Sequence, residues 1–332
     1  MLVARNISRA GPKTQRLAIL FHQPCFPAAE AAMSASNVSV DVATFFPNIK
    51  GNLTKIVWEH AVNSKEKLDN ALVSANIMML EADVTMGILN NMNDNSSRIP
   101  IMAHPPAFKS NLSLKNFLDT VIQKNVTKGI KLDFKSIEAF IASKPILEEV
   151  RNNTKFPVFL NADIFPGPVN ASTTAVVDPK VFVSEAMAFP EYTLSVGWTT
   201  RYGTNDNVTE GQYTEQQMQN MTNFLKEQKV TQPITYPVRA GLAANSTKVI
   251  KSLMENSSFA RNVTLTVWSS EGDKVDAEAL STLIRDIGVK NVYVDVPQDL
   301  MNKLHLSGAS SVMVASITLA VSVLTGLLST IL

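Results

Sequence analysis

Four short segments of this 332-residue chain end on residue types that can work together on a phosphodiester: Trp58-Glu59-His60-Ala61-Val62-Asn63, Leu80-Glu81-Ala82-Asp83, Met102-Ala103-His104 and Lys131-Leu132-Asp133-Phe134-Lys135. Each reads as the end of a strand. Side chains alternate between the two faces of a strand, so Glu81 and Asp83 share one face, as do Asp133 and Lys135. If the strands stand side by side, three carboxylates, two imidazoles and an ammonium meet in one cavity. Glu81 and Asp83 close an apolar run, 76–80, where two inward carboxylates would need compensation. A cation would supply it, and three hard oxygen ligands, Glu81, Asp83 and Asp133, suit Mg2+ or Ca2+ better than zinc. Salt bridges to Lys135 and Arg239 are the structural alternative. For a lone histidine the alternative is a structural hydrogen bond, but the chain has only four histidines. That two of them, His60 and His104, end strands in one third of the proposed barrel favours function.

The elements that would position these residues alternate short β-like runs with amphipathic helical patterns, which implies parallel strands joined by crossover helices. Strands are expected at 56–60, 77–83, 99–104, 130–135, 158–163, 194–198, 234–239, 263–268 and 292–295. The expected architecture is α/β, a single (β/α)8 TIM-type barrel. Nine candidates exceed its eight strands, so one is accessory or misassigned. Such a barrel carries its working residues at the C-terminal strand ends, where His60, Asp83, His104, Lys135, Asp163, Trp198, Arg239, Trp268 and Asp295 fall. One helix is expected to start from an N-cap at Ser113, with a stripe of Leu114, Phe117, Leu118, Val121 and Ile122 and a stop at Gly129. Similar stripes occur at Val249, Ile250, Leu253 and Met254, and at Leu280, Leu283, Ile284 and Ile287. The stretch 84–98 has no helical period and reads as a loop at the barrel mouth.

At 45% hydrophobic and 18% charged residues the chain can bury a large core, and its formal net charge of +1 gives no global field for nucleic acid. Nucleic acid is not an expected partner. Cys25 is the single cysteine, which excludes an intrachain disulfide. Asn-x-Ser/Thr sequons occur at Asn6, Asn37, Asn52, Asn95, Asn111, Asn125, Asn152, Asn170, Asn207, Asn220, Asn245, Asn256 and Asn262, against roughly four expected by chance. Their excess points to the secretory pathway and an extracellular glycoprotein. Residues 312–332 carry no charge and follow the small run 307–311, as in a cleavable lipid-anchor (GPI) signal, with a retained membrane helix as the alternative. Arg5, Arg9, Lys13 and Arg16 precede a short apolar run, 17–21, which makes a weak export signal. The expected organisation is thus an N-terminal targeting or irregular segment (1–50), a barrel (51–300), and a linker with a hydrophobic, membrane-attached tail (301–332).

The order His60-x-x-Asn63, Glu81-x-Asp83, His104, Asp133-x-Lys135 and Thr266-Val267-Trp268 resembles the phosphodiesterase barrels of glycerophosphodiester phosphodiesterases and sphingomyelinases D. The longer runs 131–135, 160–168, 194–200 and 237–240 resemble the menorin family, over about residues 54–297. The first resemblance implies Glu81, Asp83 and Asp133 as metal ligands, His60 and His104 as acid and base, and Lys135 and Trp268 as substrate contacts. Asn161, Asp163, Trp198 and Arg239 are expected to line the same substrate site. The second implies extracellular recognition in cell-cell or dendrite patterning through cell-surface adhesion receptors. His60-Ala61-Val62 departs from the His-Arg-Gly start of glycerophosphodiesterases, which argues against a glycerophosphodiester substrate.

Overall fold

A computed structural model describes residues 40–171 and 177–307. The strands in chain order are β1 (Trp58–Glu59), β2 (Met79–Leu89), β3 (Ile99–Met102), β4 (Lys109–Ser110), β5 (Gly129–Phe134), β6 (Val158–Pro166), β7 (Thr193–Thr199), β8 (Ile234–Arg239), β9 (Val263–Trp268) and β10 (Val292–Asp295). Eight of them, β1-β2-β5-β6-β7-β8-β9-β10, form one parallel path. The path curls into a nearly closed barrel whose seam lies between β1 and β10. There the Leu53 N–H donates to the Val289 carbonyl at 2.9 Å below, and the side chains of His60 and Asp295 meet above.

The surplus strand is the one expected at 99–104. β3 runs antiparallel to an extension of β2, pairing Val84 with Met102 and Gly87 with Ile99. The stretch 84–98 is therefore not all loop, because β2 continues to Leu89 before the chain turns. The Val84-Thr85-Met86-Gly87-Ile88-Leu89 run has the apolar content of a strand, and β3 and β4 pair with it.

Crossover helices follow their caps. The helix Leu114–Lys124 starts where Ser113 Oγ accepts the Asn116 N–H at 3.1 Å. It stops at Asn125 in the left-handed region (φ 47°), not at Gly129, which opens β5. Leu114, Phe117, Leu118 and Val121 face the core, as do Ile250 and Leu253 of Thr247–Asn256 and Leu280, Leu283 and Ile284 of Ala277–Ile287.

Alternation along the strands divides the barrel interior into layers. Trp58, Met79, Phe159 and Tyr293 make an aromatic floor, with the Phe159 and Tyr293 ring centroids 5.6 Å apart. The described part of the N-terminal segment, residues 40–50, is ordered beneath it: Val42, Phe46 and Ile49, followed by Leu53, seal the floor from below. Gly129 leaves room for the Met79 side chain here, since a Cβ on it would lie 2.3 Å from the Met79 sulfur. Burying each such apolar side chain contributes about 1.5–3 kcal/mol, which lets the layers above be polar. The sequons at Asn6 and Asn37, Cys25 and the apolar tail 312–332 lie outside the described residues.

Candidate functional site

Above the floor, strand register puts charge next to charge. Glu81 on β2 is level with Lys131 on β5, and two residues further Asp83 is level with Asp133, which is level with Asn161 on β6. One ligand atom from each of Glu81, Asp83 and Asp133 can be chosen so that all lie within 4.8 Å of one another. Several neighbouring polar groups hold these carboxylates in place. Asn63 donates from Nδ2 to Asp83 Oδ2 at 2.7 Å while its Oδ1 accepts the Asp83 N–H at 2.9 Å. Asn161 donates to Asp133 Oδ1 at 2.7 Å, and its own oxygen accepts from Ser195 Oγ at 2.5 Å, which fixes the orientation of the amide. The Ala61 N–H donates to Glu81 Oε2 at 2.9 Å. To make that contact Ala61 adopts φ 47°, a left-handed conformation that costs a non-glycine residue on the order of 1 kcal/mol.

Two cations sit within this set. Lys135 Nζ lies 2.9 Å from Asp83 Oδ1 and 2.6 Å from Asp133 Oδ2. Burial opposes its charge, but the two carboxylates outweigh burial and push its pKa up. His60 bridges the barrel seam, with Nε2 at 2.6 Å from Asp295 Oδ1 and Nδ1 at 3.6 Å from Glu81 Oε2. Burial works against the imidazolium, yet Asp295 and Glu81 push the pKa up to about 10. Asp83 is raised, by burial and then by Glu81. Glu81 is lowered despite burial, by His60 and Lys131. The donor set fits a hard divalent cation: three carboxylates on rigid strands, with Glu81 Oε1 accepting no hydrogen bond among the described residues.

Asp163 stands one layer higher on β6, opposite Gly197, whose missing side chain leaves it room: a Cβ there would lie 3.1 Å from Asp163 Oδ1. Its carboxylate has no hydrogen-bond or ion-pair partner among the described residues, and burial, then Asp133, raise its pKa to about 7.

The remaining expected site residues are placed differently. His104 follows Ala103, whose N–H donates to the Asp83 carbonyl at 3.1 Å. Its ring is exposed and bonds only the Pro105 carbonyl, at 2.6 Å, so it stands at the rim and touches none of the carboxylates. Trp198 is 2% exposed and packs against Tyr213 and Tyr236. Ser195 and Gly197 face the cavity, so Trp198 between them and Thr199 must face the helices; it belongs to the core and not to the substrate lining. Arg239 faces the mouth but is already engaged. Nε and Nη2 bind Asp273 at 2.8 and 2.9 Å, and Nη2 also reaches the Tyr202 carbonyl at 3.0 Å and Ser270 Oγ at 3.2 Å. Its guanidinium lies 4.5 Å from the Trp268 ring centroid, so one face of that half-buried ring is covered as well.

The structure brings into the site Asp295 and Asn63, which the sequence pattern named without a role, and Lys131 and Ser195, which it did not single out. Asp295 ends its strand in the same way as the residues first singled out. Its role depends on the last strand meeting the first, for which no local pattern exists.

A nearly closed parallel barrel with an acidic cluster at its C-terminal mouth is the class of protein these features define. The model of the menorin N-terminal domain matches residues 52–301, and the chain belongs to this family. It is 37% identical over 243 residues to the human protein FAM151B, covering 73% of this chain and 82% of that one. Among solved structures it is similar to a glycerophosphoryl diester phosphodiesterase from Parabacteroides distasonis (11% identity, TM-score 0.40, covering 78% of this chain and 90% of that one). It is also similar to a putative glycerophosphodiester phosphodiesterase from Galdieria sulphuraria (9% identity, TM-score 0.42, covering 75% and 97%).

Proposed function

We propose that this menorin-family barrel is a divalent-cation-dependent phosphodiesterase of the cell surface. The observation that carries the reading is the meeting of Glu81, Asp83 and Asp133 within 4.8 Å, with the imidazolium of His60 against Glu81. A bound Mg2+ or Ca2+ would supply Lewis-acid polarisation of the phosphoryl group. The chain's own residues do the rest. Asn63 and Asn161 keep the carboxylates aimed inward. Lys135, held between Asp83 and Asp133, would have its ammonium available to the phosphoryl oxygens if a cation took over those carboxylates. His60, kept protonated by Asp295, gives its Nδ1 proton to the leaving oxygen. His104 at the rim swings from the Pro105 carbonyl to take the proton of the nucleophile.

Assay of the full chain against a panel of phosphodiesters, with and without EDTA, tests this. Turnover that EDTA abolishes, and that His60→Ala lowers by about 10²- to 10⁴-fold, is the expected result. No turnover on any diester counts against it.

A second reading has its own support, since the exposed His104 ring is not joined to the acidic cluster. In that reading the mouth is a recognition surface for cell-surface adhesion receptors. Receptor binding that survives in Glu81→Gln, in a chain with no turnover, would favour it. Passage through the secretory pathway is supported by the exposure of nine sequon asparagines, Asn95, Asn125, Asn152, Asn170, Asn207, Asn220, Asn245, Asn256 and Asn262. A mass loss on treatment with peptide N-glycosidase checks it. Attachment through the tail 312–332 is part of the same proposal, and release by a GPI-specific phospholipase separates a lipid anchor from a membrane helix.

A further inference from the structure

Three of the basic groups at the barrel mouth have acidic partners. Lys135 lies between Asp83 and Asp133, His60 on Asp295, and Arg239 on Asp273. Lys131 differs. It is 6% exposed, faces the barrel interior level with Glu81, and among the described residues its ammonium joins no hydrogen bond and no ion pair. It acts on Glu81 and Asp163 only through space.

An ammonium taken out of water without an acceptor is costly, so it either keeps some water or waits for an anion. Among the described residues the sealed, partnerless side-chain atoms are Trp58 Nε1, Trp198 Nε1 and Asp295 Oδ2. Lys131 Nζ is not one of them, and no described residue accepts from it, so the described residues do not seal this ammonium. Below it the barrel is filled by Trp58, Met79, Phe159 and Tyr293, so among the described residues the open direction is toward the mouth. With no ion present, the two cations first expected to receive an anion, Lys135 and Arg239, are held by internal carboxylates, while this one has no partner among the described residues and lies next to the acidic cluster.

We propose that Lys131 is the anion-binding residue of the cavity, donating to an oxygen of a phosphoryl group that enters from the mouth. This rests on the phosphodiester reading for the identity of the anion but not on turnover. A Lys131→Met variant keeps the stem and removes the charge. Titration calorimetry of the full chain in EDTA, with inorganic phosphate in one arm and dimethyl phosphate in the other, measures the binding. The wild-type chain is expected to bind at least one of them, and Lys131→Met to bind it roughly 10- to 100-fold more weakly. Tighter binding of dimethyl phosphate marks a diester site, and tighter binding of inorganic phosphate a site for the free anion. The melting temperature of Lys131→Met without ligand should be equal or higher, because no internal partner is lost.

Unchanged affinity in the variant overturns the proposal, as does a wild-type chain that binds neither anion. A large loss of stability in both Lys131→Met and Lys131→Gln without ligand also overturns it, since the ammonium would then have an internal partner. Loss of anion binding in the variant, in a chain that cleaves no diester, would leave this inference standing and remove the enzymatic one.

Discussion

The two sides of the barrel mouth carry similar residues to opposite ends. On the β10-β1-β2-β5-β6 side, Glu81, Asp83, Asp133 and Asp295 face Lys135 and His60, the neighbouring Asp163 has no partner among the described residues, and acid outnumbers base among the engaged groups. On the β7-β8-β9 side, Arg239 is forked onto Asp273, capped by the Tyr202 carbonyl and Ser270, and stacked on Trp268. The first side concentrates like charge and keeps capacity for a ligand. The second satisfies its charge internally and ties the loops after β7 and β9 to the end of β8. A charged residue at a strand end can therefore serve chemistry or architecture, and what separates the two is whether its hydrogen-bonding capacity is already used.

Breaking the braced side should cost most. Asp273→Ala leaves the Arg239 guanidinium, whose side chain is 10% exposed, without its carboxylate, and such a loss destabilises by about 3–5 kcal/mol. Urea unfolding measures it. A loss under 1 kcal/mol would mean that the brace is dispensable. Asp133→Asn on the acidic side should cost less. Stability should fall by only about 1–3 kcal/mol, because the amide turns a donor toward Lys135 Nζ or Asn161 Nδ2 but a like charge next to Asp83 and Asp163 is removed, while the rise in melting temperature on adding Mg2+ or Ca2+ disappears. Retention of that rise in the variant would place the cation elsewhere.

A pH series on metal-free protein sharpens the comparison further. Partial burial opposes the charge of His60, whose side chain stays 46% exposed, but Asp295 and Glu81 push its pKa from the ordinary 6.5 up to about 10. Its contribution to stability is complete below about pH 6.5 and is lost as pH rises through about 10. Asp295→Asn should flatten that fall, and an identical slope in wild type and variant would show that the pair is not coupled. The smallest effect is expected at the exposed ring of His104, where replacement by Ala should change stability by less than about 0.5 kcal/mol. Any fall in turnover in that variant would then report on proton transfer alone.

Much of the acidic side is readable before folding. Glu81 with Asp83 and Asp133 with Lys135 are spaced for one face, and a parallel barrel then brings them together. Trp198 is also decided by alternation, once Ser195 and Gly197 are placed inward, and grouping it with the lining ignored its parity. The accessory strand is not readable in this way. Ile99–Met102 has the same apolar character as a barrel strand, and only its antiparallel pairing with β2 sets it apart. The His60 and Asp295 pair, 235 positions apart in the chain, exists only because the barrel nearly closes. The engagement of Arg239 depends on Asp273, in a loop with no periodic signal.

Anomalous diffraction from crystals soaked in Mn2+, a stand-in for Mg2+, tests the acidic site most directly. One peak bound by oxygens of Glu81, Asp83 and Asp133, with Lys135 displaced from between Asp83 and Asp133, is the expected result. No peak at the mouth, or a peak that leaves these three carboxylates in their present hydrogen bonds, would contradict it.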